Sequence, residues 1–171
     1  MLSFDLRSLE AHAAVVDEVL SADDSVWEEH DRKPVGGLNV SGRLSAAGSG
    51  RFYWHGRLEG DVALACNRGL AAAHAHVTDE AHIIFAEEGS DDAADDPDVY
   101  VYEQGEADLD IRPALREQWL LVAPAYALCR PDCKGLCPRC GVDLNAGPHE
   151  CAEQSIDPRW DALKKLKTSS R

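Results

Sequence analysis

Apolar and polar positions alternate with a period of two through most of the stretch between Val35 and Phe85. Val40, Gly42 and Leu44 face away from Ser41 and Arg43, and Phe52, Trp54 and Gly56 face away from Tyr53 and His55. Ala47-Gly48-Ser49-Gly50 supplies the turn between them, which predicts a hairpin. Gly60 punctuates a further strand, Asp61 to Cys66, and Ala73 to Val77 with His82 to Phe85 continue the alternation. Four or five short strands in an antiparallel meander follow, with Val99 to Tyr102 as another strand. Elsewhere the spacing lengthens. Leu6, Leu9, Ala13, Val16 and Leu20 recur every three or four residues and predict an amphipathic helix within residues 4–20. Ile111, Leu115, Trp119 and Val122 predict a second, capped by Asp108 or Asp110, with Pro113 in its first turn and Pro124 ending it. Asp157-Pro158 announces a third, to about Lys167, with Trp160, Leu163 and Leu166 as its stripe. The pattern as a whole is α+β.

Length and charge refine this picture. The chain has 171 residues, enough for one domain with a small appendage, and a net charge of -14. That sign excludes a broad basic footprint for nucleic acid. The charge is unevenly placed: residues 1–128 carry 9 basic and 25 acidic side chains, a net of -16, whereas residues 129–171 carry 8 and 6, a net of +2. An acidic α+β body over 1–128 is therefore expected to pack, as one domain, with a chemically different segment over 129–171. The run Glu87 to Asp98 has no apolar anchor and reads as a solvated connector. No apolar stretch approaches the ~20 residues of a membrane span, and the beginning, Met1 to Arg7, lacks the features of a secretory leader. A cytoplasmic protein is expected.

In such a compartment clustered thiols call for a metal rather than disulfides. Five of the six cysteines lie between Cys129 and Cys151. Cys137-Pro138-Arg139-Cys140-Gly141 has the spacing of a knuckle, in which two intervening residues let both sulfurs face one ion. Cys129, Cys133, Cys137 and Cys140 are the expected ligands of a structural Zn2+, with Cys151 or His149 as an alternative. Four protein ligands leave no position for water, so the ion would organise a segment poor in apolar residues rather than catalyse a reaction. Cys66, alone on its strand, reads as a small packed hydrophobe. A different class of function is carried by His74 and His76 on one strand face with His82 following, which together suggest a small metal-dependent hydrolase. No phosphate loop, nucleophile elbow or acid–base pair accompanies them.

Asp132-Cys133-Lys134-Gly135-Leu136-Cys137-Pro138-Arg139-Cys140-Gly141, Asp143-Leu144-Asn145 and Ile156-Asp157-Pro158-Arg159-Trp160 resemble the C-terminal signature of the YceD family, the large ribosomal RNA subunit accumulation proteins. Ala107 to Asp110 and Arg116 to Pro124 look like the helix leading to that signature, so the similarity spans about Val35 to Leu166. Two departures stand out. The family's middle motif carries a second cysteine where this chain reads Arg68-Gly69-Leu70, and many relatives end on a Cys-x-Cys pair where this chain reads Cys151-Ala152-Glu153. The resemblance implies a ribosome-biogenesis factor needed for accumulation of large-subunit ribosomal RNA, with no established reaction. The charge split adds that any RNA or partner contact by the positive segment would use Arg130, Lys134, Arg139, Arg159, Lys164, Lys165, Lys167 and Arg171. The acidic body suits a basic ribosomal protein or a preribosomal large-subunit particle as partner.

Overall fold

A computed structural model describes residues 2–48, 50–90 and 99–151. Its centre is a five-stranded sheet in the order β2-β3-β4-β5-β6, formed by Ala14–Leu20, Pro34–Gly48, Arg51–Ala65, Ala72–Glu87 and Val99–Tyr102. The strands pair antiparallel except β5 and β6, which run parallel with Phe85 opposite Tyr100. A small second sheet joins β1 (Ser3–Asp5) to β7 (Asp108–Asp110), and the helices are α1 (Leu6–Ala11) and α2 (Arg112–Val122).

The predicted alternation holds. Leu38, Val40 and Leu44 on β3 and Phe52, Trp54, Leu58 and Val62 on β4 are buried, and their neighbours face outward. The expected meander is, however, made of fewer and longer strands: β3, β4 and β5 run 15, 15 and 16 residues. Gly60 does not interrupt β4. It lies in the strand because a Cβ there would sit 3.2 Å from the Trp119 ring, so the missing side chain lets α2 approach the sheet. The parallel β5–β6 pair makes the sheet mixed rather than a pure meander.

The amphipathic helix expected within residues 4–20 is corrected: only Leu6–Ala11 is helical, and Val16 and Leu20 lie on β2 with their side chains buried. A spacing of four satisfies a strand's period of two as well as a helical turn, and β-branched Val15, Val16 and Val19 favour the strand. The second helix forms where expected, burying Ala114, Leu115 and Trp119. Ile111 is its N-cap residue and the Asp110 carboxylate accepts from the Arg112 amide at 3.0 Å, while Asp108 belongs to β7. The helix expected from Pro158 lies outside the described residues.

Trp119 ties the layers together. Its ring is fully buried, and its indole N–H donates to the Arg32 carbonyl at 2.7 Å, fastening the loop between β2 and β3 to α2. Arg116 grips Asp31 in the same loop through two bonds of 2.6 and 3.0 Å. This pairing holds the Asp31 carboxyl below its ordinary range. None of the described helices is long and apolar enough to cross a membrane.

Candidate metal centre

Beyond α2 the chain has little apolar material, and backbone hydrogen bonds with thiols take over its organisation. Asn67 donates to the Ala127 carbonyl at 2.9 Å and Leu136 to the Arg68 carbonyl at 3.0 Å, so the segment docks on the turn that follows β4. Gly135, with φ of 75°, allows this approach: a Cβ there would lie 2.7 Å from the Arg68 carbonyl oxygen. Asn145 is the local hub. Its side-chain oxygen accepts from Arg130 at 2.7 Å and from the Lys134 amide at 2.9 Å, and its NH2 donates to Asp143 at 2.7 Å and to the Cys133 sulfur at 3.6 Å.

The cysteines fall into two groups. Cys137, Cys140, His149 and Cys151 place one donor atom each within 4.8 Å of all the others, and Cys66, Cys129 and Cys133 do the same. The four thiols expected to share one ion are thus divided: the structure brings Cys137 and Cys140 together with His149 and Cys151, and sends Cys129 and Cys133 to Cys66. Though only four positions apart, Cys133 and Cys137 fall in different groups because Gly135, with φ of 75°, turns the chain between them. Cys66, read from sequence as packing, is fully buried with its sulfur 3.7 Å from that of Cys133. Nothing local in the sequence links Cys66 to residues more than sixty positions away; the available signals are its place at the end of a strand, followed by a turn, and the family's middle motif, whose second cysteine is absent from Arg68-Gly69-Leu70.

The first group fits a tetrahedral ion. Cys137-Pro138-Arg139-Cys140-Gly141 forms the expected knuckle, with the Gly141 N–H returning to the Cys137 carbonyl at 2.9 Å and φ of 75° at Gly141. The amides of Arg139 and Cys140 point at the Cys137 sulfur and lower its thiol to about 6. Burial raises the Cys151 thiol, with hydrogen bonding to Cys140 next in weight. His149 Nε2 lies 3.1 Å from the Cys140 sulfur. Three sulfurs and an imidazole are the donor set that structural zinc takes, and all four are protein ligands. These residues therefore could hold a metal ion, in a Cys3His arrangement that includes both side chains the sequence left as alternatives.

The histidines of β5 do not gather. His76 bonds to Asp61 at 3.0 Å and lies near Glu59, whereas His82 stacks on His55 with centroids 4.4 Å apart and bonds to the Tyr53 hydroxyl. Six residues of strand separate His76 from His82, roughly 20 Å. Neither metal-capable group among the described residues contains a β5 histidine. Arg130, Lys134 and Arg139 are exposed around the thiol groups; Arg159, Lys164, Lys165, Lys167 and Arg171 lie outside the described residues.

The chain is 26% identical over 164 residues to the uncharacterized protein YlbN of Bacillus subtilis, covering 95% of this chain and 93% of that protein. An uncharacterized protein of Mycobacterium tuberculosis H37Rv is 52% identical over 46 residues, which are 27% of this chain and 22% of that protein's length. One from Mycobacterium leprae is 30% identical over 98 residues, 57% of this chain and 45% of it. The chain thus spans about a fifth of the length of the Mycobacterium tuberculosis relative it matches. No solved structure matches it. Residues 54–167 match the profile described as Large ribosomal RNA subunit accumulation protein YceD, a stretch that runs from β4 through both thiol groups; the chain belongs to the YceD family.

Proposed function

We propose that this protein is a non-catalytic factor of large-subunit ribosome assembly, cytoplasmic, which promotes accumulation of the large ribosomal RNA by holding a basic ribosomal protein or a preribosomal particle. The observation that carries the reading is the family match over residues 54–167, since the family is named for accumulation of that RNA and not for a reaction. Two features of this chain support it. Asp17, Glu18 and Glu59 line an open depression of about 590 Å3 on the sheet, an acidic surface suited to a strongly basic partner. Arg130, Lys134 and Arg139 are exposed on a segment that zinc at Cys137, Cys140, His149 and Cys151 would make rigid, which would give a second contact surface an ordered support.

The acidic body is the principal contact in this reading, and RNA contact through Arg159, Lys164, Lys165 and Lys167 is secondary. Copurification tests the order. Ribosomal proteins should remain bound after nuclease treatment and dissociate as salt rises. Association that vanishes with nuclease, and that weakens in the triple variant Lys164→Glu, Lys165→Glu, Lys167→Glu with a shallower salt slope, would place RNA first. Absence of any ribosomal protein or RNA at low salt would end the proposal.

A further inference from the structure

The turns that open the two thiol groups share one backbone. In Cys137-Pro138-Arg139-Cys140-Gly141 the fifth residue has φ of 75° and its N–H bonds to the first residue's carbonyl at 2.9 Å. In Cys66-Asn67-Arg68-Gly69-Leu70 the fifth residue has φ of 57° and makes the same bond at 2.8 Å. Leu70 is the one non-glycine with positive φ among the described residues, so the turn is kept at a conformational cost. In both turns the amides of the third and fourth residues point at the first sulfur. Position four differs. Cys140 supplies a ligand there, and Gly69 supplies none.

Position 69 nevertheless looks into the second group: a Cβ on Gly69 would have the Cys133 sulfur as its nearest neighbour, at 3.4 Å, and would clash with nothing. The 3.7 Å between the Cys66 and Cys133 sulfurs matches the edge of about 3.8 Å that two thiolates span on a tetrahedral zinc ion. Asn145 donates to the Cys133 sulfur and Arg68 to the Cys133 carbonyl at 3.1 Å, an outer shell of the kind that orients ligands. Gly69 is half-buried and Cys129 is exposed, so the group is open to solvent on one side.

We infer that Cys66, Cys129 and Cys133 bind a second zinc ion through three thiolates, with the fourth coordination position, beside Gly69, held by a water that a small thiol displaces. This ion is more exchangeable than one enclosed by four protein ligands, and the inference does not depend on the ribosomal reading or on occupancy of the first group.

The reduced full-length chain, kept free of oxygen, should carry two zinc ions and release them to a coloured chelator in two phases. Cys129→Ser removes an exposed thiol without disturbing packing, and should lose one ion together with the fast phase. Cys140→Ser should lose the slow phase and keep the fast one. Gly69→Cys should abolish the fast phase, because a fourth thiolate closes the open coordination position. With cobalt in place of zinc, added 2-mercaptoethanol should strengthen the sulfur charge-transfer band of the natural chain and leave that of Gly69→Cys unchanged. A single zinc whose amount is unaffected by Cys129→Ser would overturn the inference. So would release at the natural rate from Gly69→Cys, or a disulfide joining two of the three thiols in protein prepared under reducing conditions.

Discussion

The sheet body and the segment beyond α2 meet at Cys66, but different forces hold them. On the body side, Phe52, Trp54, Leu58 and Val62 of β4 are buried against a continuous core that includes Trp119, and removal of apolar surface from water stabilises the packing. On the other side the buried cluster consists of Cys66, Ala73 and Cys133, with Ala127 against it, far too little apolar area to order more than twenty residues. Order there rests on hydrogen bonds such as those of Asn145, and on an ion where the thiols hold one, and it should therefore respond to conditions under which the body stays folded.

Removing metal should show the contrast most strongly. Chelation under reducing conditions is expected to abolish amide-exchange protection across residues 129–151 while β3, β4 and β5 keep theirs. Simultaneous loss of protection in the sheet would erase the distinction. Lowering the pH should mimic chelation, because thiolates must be deprotonated to bind the ion.

The converse perturbation is Trp119→Ala. It opens a cavity beside Gly60 and orphans the Arg32 carbonyl, and urea unfolding should reveal a loss of about 3–5 kcal/mol in the body. Zinc bound by Cys137, Cys140, His149 and Cys151 should be retained for as long as the chain remains folded. A loss below about 1 kcal/mol would mean that α2 contributes little to the core.

Asp31→Asn gives the smallest effect. Arg116 depresses the folded-state pKa of this carboxyl, so its stabilising contribution is complete above the unfolded-state value and disappears as pH falls through the lower, folded-state one. Thermal midpoints of the variant and natural chains should differ at neutral pH and converge in acid. A constant difference at all pH values would exclude the ion pair as the cause.

Much of the body was legible in the sequence because burial there is governed by period: the alternation around Trp54 and the stripe through Leu115 and Trp119 each satisfied a single reading. Residues 14–20 satisfied two, and pairing with β3 decided between them. The parallel partnership of β6 with β5 had no local signature, since Val99–Tyr102 would look the same in either direction. The knuckle at Cys137 could be read because its geometry is contained in five residues. The division of the thiols into two groups could not, because it depends on how far Gly135 turns the chain and on docking against a strand end distant in sequence.

Cys66 and Cys133 stand 67 positions apart, and the stretch between them contains β5 and α2. An ion gripping both would close that stretch into a ring, much as a covalent cross-link does, and deny the unfolded chain its most expanded shapes. Free zinc would then add to the margin against global unfolding of the sheet, whose strands stay folded and protected without it.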